Sequence, residues 1–586
     1  MENGQKTLNE LFDGKKIFCI PSYQRAFAWE EKQLTDFIED IKNQAPGKDY
    51  FMGTILFQKN GSEGFFDKID IVDGQQRITT LIIFMNCIIE SFKKNNYDID
   101  YIEMLEETYI KYRSEYKLRV LDDDNEFFRS YILSNNKVTD DLIKTPSQQK
   151  LLNAKKFFTK RLQLLKPDKI KEYIDKVNKT KILTYSVLDK AEATLIFETT
   201  NDRGKSLTNL EKTKSFLMYK LYFASEDPES HLSDIQSRFS EMYRDYEEIE
   251  NEIDEDTILQ HHFIAFEDWK VKKSEKDYQK YVQIVKNKVN DLINDEKDPH
   301  KTLLYIDKYS RELRESFSLF NQLFKFQNEY LHGIWILGRT RLFYPLLIKS
   351  LKLDHTKNKK NFISICRLIE IFSFRVYGIL NRPANTGESQ LYSFARDFEG
   401  NYDELFVQLK STLDNYAPDK EFKNRLESRS FYHDVSSTDR NYFFWKYENY
   451  LRSKNNYNRM SEEVFYEEDP KKRLTIEHIL PQNPDEKLII VKDKKIIPKY
   501  TEKFIEEYLH SLGNLTIDPL SPNVKKSNND FEIKNSKYFQ KAPLMCQNEL
   551  EDFLNKKTNK YDEESIDNRI KTLTDFALKE WNYQKI

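Results

Sequence analysis

Cysteine, glycine and proline are scarce in this chain. Its 586 residues include 4 Cys, 14 Gly and 16 Pro. The four cysteines are far apart and form no C-x-x-C pair, which argues against a disulfide framework or a cysteine zinc site and indicates a reducing compartment. Because residues that break helices are few, we expect long helices joined by short loops.

Long apolar runs and a strong excess of one charge are also missing. The first residues, MENGQKTLNELF, show no basic-then-apolar signal, and no apolar run is long enough to cross a bilayer. We therefore expect a cytoplasmic protein with no membrane partner. The formal net charge is −4, so any nucleic-acid binding must use local patches of positive charge.

Aromatic and charged residues are abundant instead. The chain contains 35 Tyr and 41 Phe, and charged residues make up 32% of it. Its length is sufficient for several domains, since one domain takes roughly 100–200 residues. This composition predicts a protein of several domains that is rich in helices.

The stretch IVDGQQRITTL, residues 71–81, is the feature around which the N-terminal part is organised. The apolar residues up to Val72 predict a short buried strand, Asp73-Gly74 predicts a tight turn, and the run from Thr79 predicts a helix. A strand, a turn and a helix N-terminus form an anion site, because the first N–H groups of a helix have no partner within it.

Four side chains of this turn suit a bound anion. Arg77 offers a fork that can hold phosphate oxygens with two bonds. Asp73 is suited to hold a metal ion or to orient a water, and Gln75 and Gln76 add donors and acceptors without charge. The alternative interpretation is an ordinary turn with a helix cap.

A second polar segment precedes this turn. In IPSYQRAFAW, residues 20–29, Gln24 and Arg25 stand among aromatic residues that can pack together. Arg25 is therefore a candidate to join Arg77 at the same anion. The alternative is an ordinary surface pair.

A third segment repeats the order of strand, polar turn and helix. FETTNDRGKSL, residues 197–207, carries Asn201, Arg203 and Gly204 in its turn, and these residues are candidates to complete a nucleotide pocket. The same letters also occur in plain loops. From residue 218 to about residue 455 the pattern is helical without a clean repeat, and we interpret this region as a spacer that couples the two ends of the chain.

The C-terminal part combines a strand that ends in Glu477-His478, a second strand after Asn514, and a helix that begins near Asn523 and runs towards Phe531. Phosphodiester hydrolysis needs a water activated by a base and a cation that stabilises the developing charge. A neutral His suits the first task, whereas carboxylate and amide oxygens suit Mg²⁺. A second amide can fix the orientation of the imidazole, and Lys525 and Lys526 are candidates for phosphate contacts.

These motifs resemble those of one family. IPSYQRAFAW, IVDGQQRITTL and FETTNDRGKSL resemble the ParB-like domain of GmrSD-type proteins, and IEHILPQ, LGNL and N-x-x-x-x-N-x-x-F-x-x-K resemble their HNH nuclease domain. The family contains type IV restriction and anti-phage enzymes, which couple a nucleotide-hydrolysing or modification-sensing N-domain to a DNA-cleaving HNH domain. These motifs lie near the two ends of the chain. The middle of the chain resembles the family only in its helical pattern.

The resemblance implies an α+β fold that is mostly helical. It divides the chain into a ParB-like α/β NTP-binding and sensor domain with a helical insertion at 1–217, a helical coupling region at 218–455, and a ββα-metal (HNH) nuclease domain with C-terminal helices at 456–586.

Carried over position by position, the resemblance assigns roles to particular residues. His478 would be the general base, Glu477 a metal ligand or helper, Asn514 the residue that orients His478, and Asn523 a metal-side residue. Many HNH sites have Asp or a second His where this chain has Glu477 and Asn523, so Asn528 is a further candidate ligand. Nucleotide binding or hydrolysis is assigned to Gln24, Arg25, Asp73, Gly74, Gln75, Gln76, Arg77, Asn201, Arg203 and Gly204.

The function implied is a nucleotide-regulated, metal-dependent DNA endonuclease of modification-dependent restriction in anti-phage defence. Its expected cofactors are Mg²⁺ or Mn²⁺ and a nucleoside triphosphate, and its expected partner is modified or phage DNA, with a homo-oligomer as a further expectation. One alternative is a nucleotide-switched DNA-binding protein whose HNH module does not cut. Another is a nuclease directed at RNA.

Overall fold

A computed structural model describes residues 4–42, 51–134, 136–187, 208–272, 275–294, 298–484, 488–490 and 496–586. The chain folds into two compact units. The first comprises Met1–Phe263 and Asp268–Phe324, and the second comprises Ile264–Glu267 and Lys325–Ile586. The helical region at 218–455 is therefore divided between the two units. The predicted α+β, mostly helical fold is confirmed, and no helix among the described residues is long and apolar enough to span a membrane.

The first unit contains a mixed sheet of six strands. The described strands of this unit are β1 Gly4–Thr7, β2 Lys16–Cys19, β3 Phe51–Glu63, β4 Phe66–Asp73, β5 Lys111–Tyr112, β6 Glu115–Tyr116, β7 Leu118–Arg119, β8 Lys181–Val187, β9 Val271–Lys272 and β10 Glu275–Lys276. The order of strands in the sheet is β1-β8-β3-β4-β2-β7. Strand pairs β2/β4, β2/β7 and β3/β8 are parallel, whereas β1/β8 and β3/β4 are antiparallel.

Helices make up most of the remaining described residues up to Lys325. The described α-helices up to Lys325 are α1 Leu8–Phe12, α2 Glu31–Lys42, α3 Gln75–Lys94, α4 Ile99–Tyr109, α5 Asp122–Phe127, α6 Pro146–Leu162, α7 Pro167–Lys179, α8 Asn209–Ala224, α9 Pro228–Glu247, α10 Glu255–Phe266, α11 Tyr281–Asn294 and α12 Pro299–Lys325. Helix α3 is the centre of the core, since every residue from Ile78 to Ile89 is buried. A helix that is apolar on all sides must be enclosed by other elements, and here α6, α4 and α7 pack against it.

The second unit is mostly helical. Its described α-helices are α13 Glu329–Leu337, α14 Tyr344–Leu353, α15 Lys360–Phe372, α16 Glu388–Asp397, α17 Tyr402–Tyr416, α18 Asp419–Leu426, α19 Phe431–Asp434, α20 Ser437–Lys454, α21 Glu502–Glu507, α22 Leu520–Lys526, α23 Phe531–Lys537, α24 Met545–Asn548 and α25 Glu563–Glu580. A π-helix, Ser373–Ile379, continues α15. Trp581 follows α25 and stacks on Phe374, with ring centroids 4.0 Å apart.

Two antiparallel pairs of short strands lie in the C-terminal part of the second unit. They are β11 Leu474–His478 with β14 Leu515–Pro519, and β12 Leu488–Ile490 with β13 Ile496–Pro498. Strand β14 leads directly into α22, and α23 follows four residues later. The order of strand, strand and helix predicted from Leu474 onward is therefore present.

Candidate functional site

The turn at Asp73-Gly74 joins β4 to α3, as the sequence predicts. Gly74 has φ 92°, in the left-handed region that glycine adopts without strain. A Cβ at this position would also lie 3.0 Å from Cγ1 of Ile55. Both observations explain why the motif needs glycine between the strand and the first turn of α3.

The glutamines of this motif bind the backbone of the neighbouring segment at residues 20–29. Each of the three predicted glutamines donates its side-chain amide to a carbonyl oxygen of the other motif. The bonds run from Gln24 to Val72 (2.8 Å), from Gln75 to Arg25 (3.2 Å) and from Gln76 to Ala26 (3.0 Å), and Gln76 also accepts from the Ala28 N–H (2.9 Å). The two motifs are thus brought together, and these amides stabilise the fold of the first unit.

Arg77 directs its guanidinium into the sheet. It donates to the carbonyl oxygens of Met52 (2.9 Å) and Thr54 (2.8 Å), and it lies 3.4 Å from the Asp73 carboxylate. A Cβ at Gly53, between the two acceptors, would collide with Nη1 of Arg77. Burial raises the pKa of Asp73, and Arg77 opposes that shift. The fork that the sequence assigned to phosphate oxygens is therefore occupied by backbone carbonyls in this structure.

Arg25 pairs with a residue that the sequence motifs did not include. Its Nε lies 3.3 Å from Glu211, which also forms a capping box with Thr208 at the start of α8. One turn later, Lys214 is buried and donates to the Tyr23 carbonyl at 3.2 Å. Burial lowers the pKa of Lys214 to about 8. Neither residue was predicted, because both lie almost 190 positions after Arg25 in a stretch that reads as an ordinary helix.

A cavity of about 280 Å³ opens beside Arg25 and Thr208. Both of its basic lining residues already have carboxylate partners, Arg25 with Glu211 and Lys150 with Glu250 at 2.6 Å. Its acidic lining residues are Glu30, Glu247, Glu250, Asp254, Glu255 and Asp256. This excess of carboxylates repels free phosphate groups, so a polyphosphate would need accompanying cations here. Asn201, Arg203 and Gly204 lie outside the described residues.

Burial raises the pKa of Glu255 in this cavity to about 7. An acid with a raised pKa in the folded state makes the free energy of unfolding fall as pH rises from about 4.5 to about 7. We expect Glu255→Gln to stabilise the first unit by about 1–3 kcal/mol at about pH 8 and by much less at about pH 4.5. Urea unfolding at both pH values measures this, with the exposed Glu103→Gln as the control; an equal difference at both pH values would contradict it.

Asn523 lies within α22 and holds this helix to β11. Its side-chain nitrogen donates to Oγ1 of Thr475 (2.9 Å) and to the carbonyl of Ile476 (3.2 Å). The predicted single helix from Asn523 towards Phe531 is corrected, since α22 ends at Lys526 and Ser527 adopts φ 43°. A non-glycine residue in that region ends the helix, and a separate helix, α23, begins at Phe531.

Glu477 faces the helices and is paired there. Nζ of Lys534 lies 2.6 Å from Oε1 of Glu477 and donates to the carbonyl of His478 at 2.8 Å. Burial raises the pKa of Glu477, and Lys534 lowers it. Lys526 was a candidate for phosphate contact, but it is buried and bonded to Asp518 and Gln547, both at 2.9 Å. That interpretation of Lys526 is therefore wrong.

The His478 ring contacts a different set of residues, as expected for a neighbour of Glu477 in a strand. Its Nδ1 lies 2.9 Å from the Gln482 amide nitrogen, and its ring centroid lies 4.6 Å from that of Tyr432 and 5.4 Å from that of His510. Burial, followed by the charge of His510, lowers the pKa of His478 to about 3. Nε2 is buried without a hydrogen-bond partner in the part of the chain that the structure describes.

Asn514 stabilises the loop that follows His478. Its Oδ1 accepts from the Leu480 N–H at 2.8 Å, and its Nδ2 donates to the carbonyls of Leu480 (3.1 Å) and Leu509 (2.9 Å). The residue that contacts the imidazole itself is Gln482, which the sequence interpretation placed in the motif but gave no role. Any influence of Asn514 on the orientation of His478 therefore passes through the backbone of this loop.

Few side chains near His478 are left as candidate ligands for a divalent cation. Within the described ranges, no three His, Cys, Asp or Glu side chains converge in a way that could hold a metal ion. Glu477 has one oxygen at Lys534, and Asn523 uses its nitrogen towards β11, which leaves one carboxylate oxygen and one amide oxygen. Mg²⁺ is compatible with so few protein ligands, since it commonly keeps several waters and binds substrate phosphates.

Comparison with known families matches both ends of the chain. The model of the N-terminal domain of GmrSD restriction endonuclease matches residues 8–218, and that of the C-terminal domain of GmrSD restriction endonucleases matches residues 416–576. The motifs of the first unit and the strand-strand-helix site of the second lie within these matches, which together cover more than half of the chain. The two matched domains define a restriction endonuclease, a class of enzyme that acts on DNA. The chain belongs to the GmrSD family. No curated protein matches it.

Proposed function

We propose that this chain is a nucleotide-regulated, metal-dependent DNA endonuclease of modification-dependent restriction, with an HNH active site centred on His478. The observation that carries the proposal is the environment of the His478 ring. It is uncharged at neutral pH because its pKa is about 3, and its Nε2 has no partner among the described residues. A neutral imidazole with a free ring nitrogen can accept a proton from water.

In this proposal, His478 accepts a proton from the water that attacks the phosphorus of the scissile phosphodiester. The bond from phosphorus to the leaving oxygen then breaks, and that oxygen takes up a proton from solvent. This role of His478 requires the Gln482 side-chain amide to turn by about 180°, so that its oxygen replaces its nitrogen beside Nδ1. The oxygen then accepts from Nδ1–H, which leaves the lone pair on Nε2. A bound Mg²⁺ or Mn²⁺ held by Glu477 and Asn523 would stabilise the negative charge on the phosphate oxygens. Asn528 is the alternative ligand to Asn523.

The first unit is the proposed sensor, in which the ParB-like motifs bind and hydrolyse a nucleoside triphosphate. Its support is the family and the close contact of the two described motifs, in which Gln24, Gln75 and Gln76 bind backbone groups of the opposite segment. The acidic lining of the neighbouring cavity favours a nucleotide that arrives with its Mg²⁺. In the same proposal, this chain forms a homo-oligomer and recognises modified phage DNA.

The experiment that tests regulation is a comparison of modified and unmodified phage DNA, with Mg²⁺ or Mn²⁺, with and without each NTP. Wild type is measured beside Asp73→Asn, whose folding is checked by thermal unfolding. We expect modified DNA to be cut faster, and the NTP effect on cutting to disappear in Asp73→Asn. Cutting that is unaffected by any NTP in the wild type would contradict nucleotide regulation.

A second candidate is a nucleotide-switched DNA-binding protein with a non-catalytic HNH module. The Glu477–Lys534 pair favours it, because an ammonium group 2.6 Å from the carboxylate competes with a metal ion for that oxygen. Under this alternative, DNA binding responds to NTP and persists in His478→Ala, whereas no metal supports cleavage by the wild type.

A further inference from the structure

Arg440 is a buried arginine without a carboxylate partner in the described part of the chain. It lies in the first turn of α20, is 9% exposed, and its Nε has no hydrogen-bond partner among the described residues. The adjacent acid, Asp439, is already bound by Arg339 through two bonds of 2.9 and 2.8 Å. By contrast, the fully buried Arg375 pairs with Asp419 at 2.7 Å.

The ring of Tyr432 contacts both Arg440 and His478. The Arg440 guanidinium lies 4.0 Å from the ring centroid of Tyr432. The ring centroid of Tyr432 in turn lies 4.6 Å from that of His478. Stacking on an aromatic ring holds the planar guanidinium in place but does not neutralise its charge.

Two further imidazoles complete this group, which we call the Tyr432 cluster: Tyr432, His433, Arg440, His478 and His510. The centroid of the His510 ring lies 4.3 Å from that of His433, and the Tyr432 N–H donates to the His510 carbonyl at 2.9 Å. Nδ1 of His510 is also buried and lacks a hydrogen-bond partner among the described residues. Thus Arg440, His478 and His510 each have one unsatisfied buried nitrogen.

An unpaired buried charge and several unsatisfied nitrogen atoms in one place are costly for a folded protein. A phosphodiester phosphate would satisfy Arg440, because it supplies one negative charge and acceptor oxygens that match the fork of a guanidinium, and it would leave the unprotonated Nε2 of His478 free to accept a proton from water. We propose that the Tyr432 cluster is a subsite for a DNA backbone phosphate, in which Arg440 binds the phosphate next to the base His478. This inference rests on the proposed nuclease function and adds residues from α19 and α20 to its site.

The test measures binding of the full-length protein to a fluorescently labelled DNA duplex in a chelator, over a range of salt concentrations. We expect Arg440→Gln to weaken binding by about tenfold and to reduce the slope of log affinity against log salt by about one, as for the loss of one phosphate contact. Arg440→Lys should restore most of the slope, because it keeps the charge. Arg382→Gln, a variant of a surface arginine paired with Glu421, should bind as the wild type does.

Thermal unfolding distinguishes this role from a structural one. Arg440→Gln should leave the unfolding temperature unchanged or raise it, since no ion pair is lost, whereas Arg375→Gln should lower it without changing DNA affinity. Equal affinity and salt slope for Arg440→Gln and wild type would overturn the subsite and leave the nuclease proposal intact if the wild type cuts DNA. A wild type that neither binds nor cuts DNA would overturn both.

Discussion

His478→Ala is expected to lower the rate of DNA cleavage by about 10²–10⁴-fold, the contribution typical of a positioned general base. The ring is buried and contacts Gln482, Tyr432 and His510, and its Nε2 is the ring nitrogen left without a partner among the described residues. The initial rate of cleavage of one DNA substrate, measured at saturating metal ion, gives the effect.

The control for this variant is His355→Ala, which removes an exposed imidazole of the same unit. We expect it to cut at the wild-type rate. Thermal unfolding shows whether His478→Ala is folded, and DNA binding in a chelator shows whether it still holds the substrate. Equal cleavage rates for His478→Ala and wild type would contradict the assignment of the base.

Arg77→Met is expected to lower the free energy of unfolding of the first unit by about 2–4 kcal/mol. The substitution leaves the carbonyls of Met52 and Thr54 without their donors, and it leaves the half-buried Asp73 carboxylate without its cation. Denaturant unfolding, followed by a probe in the first unit, measures the change. Arg113→Met, which removes an exposed arginine of the same unit, should change stability little.

This prediction separates two roles for the motif. If Arg77 only bound a nucleotide, Arg77→Met and the wild type would have the same free energy of unfolding in the absence of NTP. The variant would lose only the added stability that bound NTP gives the wild type. That result would contradict the structural role derived from its three contacts. A large loss of stability without nucleotide would show that the motif holds β3, β4 and α3 together before any ligand binds.

Local patterns predicted the elements that carry both sites. The apolar run that ends at Val72, the Asp73-Gly74 turn and the helix after it were predicted correctly, because strand, turn and helix signals depend on neighbouring residues. The strands around Glu477 and Asn514 were predicted for the same reason. The break at Ser527 was missed, because its polar neighbours are equally compatible with an exposed helix.

Partners that are distant in sequence were not predictable. Lys526 carries the sequence signal of a surface lysine, and only the fold places it between Asp518 and Gln547. Tyr432 and Arg440 precede the nuclease motif by about forty residues in a region rich in aromatic residues, where each ring has an equally good interpretation as helix packing. These contacts arise because α19 and α20 pack near β11. No local pattern in the sequence indicates that packing.

The most direct test of the central claim is incubation of the wild-type protein with covalently closed circular DNA that carries phage-type base modifications, in the presence of Mg²⁺ or Mn²⁺ and NTP. Closed circles have no ends, so only an endonuclease can nick or linearise them. We predict nicked and linear products with the wild type and closed circles with His478→Ala. Circles that stay closed with the wild type under every metal and nucleotide condition, while the protein still binds them, would contradict the nuclease and favour the DNA-binding switch.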